Sequence, residues 1–200
     1  MPLRRDMVLA IAGVALAKGD TAFAVILLIG FACLLRTGEM CNLKVADVFF
    51  LRNKTRACLL LHATKTGKRS GEDEQVLVHD TAIVGLLGQV IGTAQSEQLV
   101  YPGGSRVFIR DLRSYCTCLG YPTLRISGYS VRRGGATYHF AKHGSLSRTT
   151  VAGRWADAKT ARIYIDSAMA QSNEWQLSKE STAMSTRARD CALAYLATVG

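Results

Sequence analysis

The sequence predicts an α+β domain that is mainly α-helical and carries one small antiparallel β-sheet. Three observations predict it. Apolar residues recur at three- and four-residue spacing over most of the chain. Only residues 45–78 show short Val-, Phe- and Leu-rich runs broken by polar turns. Two hundred residues with 48% hydrophobic content suffice for one core, and no repeat or low-complexity run divides them.

Leu3 to Ala17 sets Met7, Ala10, Ile11, Val14 and Ala15 at helical spacing, and Lys18-Gly19 supplies a stop. Asp20 or Thr21 caps a second helix running to about Leu35. This stretch is uncharged and strongly apolar, but its fifteen residues are fewer than the roughly 20 a bilayer span requires, so it reads as a buried helix. Arg36-Thr37-Gly38-Glu39 follows as an abrupt polar turn. An arginine at the end of a buried helix is costly unless it meets an anion; an ordinary Arg36–Glu39 surface pair is the alternative. Val45 to Phe50 and Ala57 to His62 read as strands, with a third at Gln75 to Val78. Between the second and third lies the polar, glycine-punctuated loop Thr64 to Gly71. Its Lys65 is either a solvated charge or a group that reaches a phosphate or donates a proton.

Helices follow at Thr81 to Ile91 and Val107 to Leu119, separated by a loop containing Pro102-Gly103-Gly104. Ser130 caps a helix from Val131 to about His143, which Gly144 ends. Ser147 to Ala152 and Ala158 to Ser167 extend the helical array. Met184, Ala188, Cys191 and Tyr195 form a stripe on a tail helix, Leu177 to Thr198, that docks on its own domain or on a neighbour's. His139 and His143 share a helix face without a third ligand, which is poor support for a metal.

The net charge of +10 and pI near 9.6 point to nucleic acid or an acidic membrane surface. The charge is concentrated. Residues 125–164 hold eight Lys/Arg against one acid, Asp157, and residues 44–69 hold seven against Asp47 alone. If the fold joins these segments, they form one basic face. The six cysteines are scattered without a CxxC pair, which fits reduced intracellular thiols and argues against zinc. The first residues lack the pattern of a signal peptide. A basic amphipathic anchor and an aromatic-rich RNA platform are also missing, so membrane and RNA binding rank last.

The most basic segment also holds chemistry. Arg132 and Arg133 precede Gly134-Gly135, with Trp155 and then Tyr164 further on. Guanidinium groups grip phosphate oxygens bidentately and keep their charge. A tyrosine becomes a nucleophile when cations stabilise its phenolate. Arginines with a tyrosine, in a basic chain without a nucleotide-binding loop, point to phosphodiester chemistry through a covalent tyrosyl intermediate.

Five short motifs then fall in one order: Arg36-Thr37-Gly38-Glu39, Thr64-Lys65-Thr66-Gly67-Lys68, Ser130-Val131-Arg132-Arg133-Gly134-Gly135-Ala136-Thr137, Gly153-Arg154-Trp155, and Tyr164. Together they resemble the catalytic domain of tyrosine recombinases, the phage-integrase family, over about Val8 to Ile165. The Arg-Arg-Gly-Gly-Ala-Thr and Gly-Arg-Trp wording is most similar to recombinases of eukaryotic mobile elements of the Crypton type. The resemblance implies an integrase-like fold with a catalytic domain over 1–166 and a C-terminal helical tail over 167–200. It implies site-specific cleavage and rejoining of double-stranded DNA through a 3′-phosphotyrosyl link, without metal, ATP or other cofactor. Arg36 and Arg132 match the catalytic arginines, Glu39 the supporting acid, and Lys65 the lysine that protonates the leaving 5′-oxygen, with Lys68 as fallback. Trp155 takes the place of the later His or Trp, and Tyr164 is the nucleophile. Lys68, Arg69, Arg133 and Arg154 are expected to bind DNA.

Two departures qualify the match. Tyr129 stands where the family usually has histidine; it can donate a hydrogen bond to phosphate but is no imidazole, so a supporting role is implied. The family's N-terminal core-binding domain, which clamps the other side of the DNA, is absent from these residues. Family logic implies a tetramer on paired DNA sites. It also implies an intracellular protein, nuclear in a eukaryote and otherwise of the cytoplasm or nucleoid. A type IB topoisomerase-like relaxing activity uses the same residues, and a catalytically retired domain kept as a DNA-binding module is the non-enzymatic alternative.

Overall fold

A helix that is apolar on every side must be enclosed on every side. That helix is α2 (Thr21–Ala32), in which Phe23 through Phe31 are all buried. Asp20 caps it by accepting from the Phe23 N–H at 3.2 Å, and its other oxygen accepts from the Tyr115 hydroxyl at 2.7 Å. The computed structural model describes residues 2–51, 53–62, 73–92, 94–121, 126–172 and 177–200, with 166–172 described as backbone.

Around α2 pack α1 (Arg5–Ala17), α4 (Thr81–Ile91) and α6 (Gly128–His143). The short α3 (Thr37–Cys41) follows α2, and α5 (Gly104–Cys118) lies against α1 and α3. Phe23, Tyr101, Phe108 and Tyr115 join α2 to α5 in an aromatic cluster with ring centroids 4.8–6.2 Å apart. The helices α7 (Leu146–Ala152) and α8 (Ala158–Ser172) lie on α6. The last helix, α9 (Lys179–Val199), runs along α1 of its own chain and reaches α4. Gly13 and Gly85 seat it: a Cβ on either would overlap the Ala188 or Val199 carbonyl. The 166/167 division expected from sequence falls within α8.

The sheet is antiparallel, in the order β1 (Val48–Phe50), β2 (Ala57–Leu61), β3 (Glu74–Val78). Val48 faces Leu59, Leu59 faces Val76, and Leu61 faces Glu74. Ala57, Leu59 and Leu61 point into the core and alternate with half-buried residues.

The expected fold class holds, and its element boundaries shift for identifiable reasons. Val45–Asp47 is a 3₁₀ turn rather than strand, because the Asp47 carboxylate accepts the Lys44 N–H at 3.1 Å. The helix predicted to reach Leu35 ends at Ala32, where Leu34 turns to φ +53° and the Leu35 N–H bonds the Gly30 carbonyl. α6 begins three residues before Val131, with Ser127 as its cap; Ser130 acts from inside the first turn, accepting the Ser127 N–H at 3.0 Å. Gly144 ends it in the left-handed conformation at φ +61°. Among the described residues no helix is long and apolar enough to cross a membrane.

The pair Gly134-Gly135 lets α6 approach two backbones. A Cβ on Gly134 would collide with the Leu3 carbonyl, and one on Gly135 with the Phe31 carbonyl. Backbone cannot yield as a side chain can. Gly135→Ala is therefore expected to destabilise by about 3 kcal/mol, lowering Tm by roughly 10 °C in a thermal melt. An unchanged Tm would show that α6 and α2 separate freely.

Candidate active site

The site begins where α2 ends. Arg36 is the N-cap of α3, and Glu39 reaches back so that its Oε2 accepts the Arg36 N–H at 2.7 Å. Its Oε1 takes the Arg36 guanidinium at 2.5 Å. The Glu39 side chain is only 6% exposed, so this is no ordinary surface pair. Gly128 sets the first turn of α6 against Thr37, which brings Arg36, the cap of α3, and Arg132 of α6 to one cleft.

Arg132, on α6, is the largest fully buried side chain in the molecule's described part. Nη2 donates to the Gly153 carbonyl at 2.5 Å. Nη1 lies 3.7 Å from Glu39 Oε2, beyond hydrogen-bond length. Neither Nη1 nor Nε has a hydrogen-bond partner among the described residues. Burial, and then the neighbouring Arg36, push its pKa down to about 10, so it remains cationic at neutral pH. A buried guanidinium with two open nitrogens is costly in isolation and suited to an anion.

Gly153-Arg154-Trp155 turns the chain from α7 into α8. The Trp155 ring folds back over Gly153, where any Cβ would occupy the indole's space. Arg154 adopts φ +54° and sends its guanidinium inward to Glu39 and Glu74. Trp155 and Tyr164 stack with ring centroids 5.2 Å apart and planes tilted by 38°. Arg132 lies 5.0 Å over the Trp155 ring and Arg133 lies 5.7 Å over the Tyr164 ring, so the adjacent arginines flank the aromatic pair.

The resulting cleft of about 860 Å³ is lined by Arg36, Glu39, Tyr129, Arg132, Arg154, Trp155 and Tyr164, among others. Tyr129 is 64% exposed at its rim. Lys65, Lys68 and Arg69, expected in the hairpin loop, lie outside the described residues. Of segment 44–69, the described residues that line the cleft are Asp47, Leu60, Leu61 and His62, and none of them is a lysine or arginine. Among the described residues no group of three His, Cys, Asp or Glu side chains converges as metal ligands.

His62, the last residue of the run 57–62, is a cleft residue that the sequence motifs do not single out. It lines the cleft at the end of β2, with Nε2 3.0 Å from Asp47 Oδ1 and Nδ1 2.8 Å from Asp73 Oδ2. Two carboxylates on two ring nitrogens require both N–H groups, so the imidazolium is favoured and its pKa lies above the usual 6.5, through Asp47 first and Asp73 second. A raised folded pKa confers stability below the unfolded value that is lost as pH rises through the folded one. Because half of the side chain is exposed, the step is small. Wild-type Tm is expected to fall by about 1–3 °C between pH 6 and 9, and His62→Gln to flatten that slope. Parallel profiles would rule out the clamp.

No family model matches the sequence, and no curated protein matches it. Solved structures do. The site-specific recombinase XerH, in a pre-cleavage complex with its difH substrate, matches with a TM-score of 0.64 at 14% identity, over 92% of this chain and 53% of that one. XerA recombinase matches at 0.63 with 20% identity, over 88% and 65%. The Flpe–Holliday junction complex matches at 0.54 with 15% identity, over 92% and 50%. The chain thus spans between half and two thirds of the length of these proteins. At such identities the likeness is one of fold, and the mainly helical chain with its small antiparallel sheet has the architecture of a tyrosine-recombinase catalytic domain.

Proposed function

We propose that this chain cleaves and rejoins double-stranded DNA through a 3′-phosphotyrosyl link to Tyr164. The observation that carries the reading is Arg132: buried, cationic, with Nη1 and Nε open, and packed on the Trp155 ring that stacks on Tyr164. Arg36 supplies a second guanidinium to the same cleft, and Glu39 fixes its direction. Two fixed cations stabilise the charge that grows on the non-bridging oxygens during in-line attack. The Tyr164 oxygen bonds to phosphorus as the phosphorus–O5′ bond breaks. The phenolic proton passes to solvent water, and the departing O5′ takes a proton from Lys65, with Lys68 as the fallback donor. A free 5′-hydroxyl on the same or another strand reverses the step, so the phosphodiester energy is conserved. Trp155 packs against the phosphate and offers its indole N–H. Tyr129 donates from the rim, and the cationic side chains of Lys68, Arg69 and Arg133 meet the DNA backbone.

Among the matched structures, one holds the recombinase XerH on its difH substrate and another holds Flpe on a Holliday junction, which supports a duplex DNA partner here. Exchange between two duplexes then calls for self-association on paired sites, with a tetramer as the symmetric arrangement. The motif wording favours recombination by a mobile element over relaxation of the topoisomerase type.

The test is covalent trapping on nicked suicide duplexes, drawn from DNA flanking the gene or from a randomised pool. A DNA-linked species that survives denaturation, mapped by mass spectrometry to Tyr164, is the expected result. Binding without any adduct, also in a longer chain carrying an N-terminal clamp, would reduce the protein to a DNA-binding module.

A further inference from the structure

Arg154 has two properties that do not fit a simple surface contact. Its backbone sits at φ +54°, a conformation that glycine adopts freely and a side-chain-bearing residue resists. Its guanidinium, 12% exposed, meets three acceptors inside the chain: Glu74 Oε2 at 2.8 Å, Glu39 Oε2 at 2.5 Å and the Cys33 carbonyl at 3.4 Å. Strain at one position, held by three contacts, points to a task for that side chain.

The task follows from how Glu39 is shared. Its Oε1 pairs with the Arg36 guanidinium, its Oε2 takes both the Arg36 N–H and Arg154, and Arg132 Nη1 is left 3.7 Å away. A buried arginine beside a free carboxylate closes into a bidentate pair, which would use up the two nitrogens that now stand open. Arg154 prevents this by filling the side of Oε2 that the Arg36 N–H leaves free, and Glu74 at the start of β3 anchors Arg154 from its other side. We infer that Arg154 is a positioning residue for the strand cleavage proposed above: by holding Glu39 it keeps Arg132 Nη1 and Nε available to the scissile phosphate. The inference rests on that reading of the cleft and adds to it a residue that need not touch DNA.

Arg154→Gly removes the guanidinium and suits the positive φ, so it separates the side chain's role from backbone strain. Adduct formation is expected to slow by about 10- to 100-fold, less than for loss of an arginine that touches the phosphate, with DNA affinity unchanged. Two readouts distinguish positioning from mere folding. In Arg154→Gly, a further Glu39→Gln change is expected to restore about tenfold, because a neutral amide quenches Arg132 far less than a carboxylate. On a methylphosphonate duplex, whose scissile group carries no charge for Arg132 to stabilise, wild type and Arg154→Gly are expected to converge. If Arg154→Gly fails to fold, Arg154→Lys is expected to slow cleavage and converge in the same way.

Equal losses on both substrates, with no recovery in the double variant, would overturn the inference. So would a wild-type rate in Arg154→Gly. Either result leaves the proposed function standing so long as wild type forms a Tyr164-dependent adduct. Without that adduct both fall.

Discussion

Tyr164→Phe is expected to abolish the DNA-linked species completely while leaving DNA affinity within about twofold and Tm within about 2 °C, as for a substitution that creates no cavity. Phenylalanine keeps everything the ring does. It retains the stack on Trp155 at 5.2 Å and the contact with the Arg133 guanidinium at 5.7 Å, so α8 stays in place. Only the oxygen that would form the bond to phosphorus is lost, and no neighbouring group substitutes for a missing nucleophile in a covalent mechanism. Gel mobility after denaturation reads the adduct, and fluorescence anisotropy reads binding. A surviving adduct would move the nucleophile elsewhere, with Tyr129 at the rim of the same cleft as the first candidate. Loss of adduct together with loss of binding would mean that the substitution disturbs the cleft itself.

How far sequence could reach depended on whether the information was local. α2 was legible because nothing polar interrupts residues 21–35, and Gly144 marked the end of α6 because left-handed backbone favours glycine. The start of α6 was misplaced by three residues because Ser127 and Ser130 both suit a cap, and only the observed bond between them shows which serine is outside the helix. Arg36, Glu39, Arg132, Trp155 and Tyr164 could be named from motif order, and the fold brings all five to one cleft. The network that orients them could not be read. Arg154 looks from sequence like one more basic side chain for DNA; its bonds to Glu39 and Glu74 span 115 and 80 positions. His62 escaped for the same reason, since Asp47 and Asp73 flank it only after the 3₁₀ turn and β3 have folded onto β2. Charge counting located the basic segments but not the pairing inside them, because ion pairs between distant residues leave no periodicity.

Arg132 is the residue where stability and chemistry should part most clearly. Its guanidinium is out of water, hydrogen-bonded only at Nη2 to the Gly153 carbonyl, and set among two other arginines and Glu39, whose Oε2 lies 3.7 Å away. Such a charge does little for the folded state, and a hydrophobic side chain of similar volume is often neutral or stabilising at a buried ionic site. Arg132→Met is therefore expected to melt at or above the wild-type temperature. Its adduct formation should nonetheless fall by about 10²- to 10³-fold, the loss typical when one donor to a developing oxyanion is removed. Arg132→Lys should not rescue it: the ammonium is a point charge that cannot reproduce two nitrogens directed at one phosphate. The lost activity should be recovered relative to wild type on a methylphosphonate duplex, whose scissile group carries no ground-state charge for the missing cation to neutralise. A variant that melts well below wild type would mean that Arg132 holds α6 to the Gly153 turn as structure. Cleavage at the wild-type rate in Arg132→Met would remove the phosphate-binding role altogether, and with it the observation on which the proposed chemistry rests.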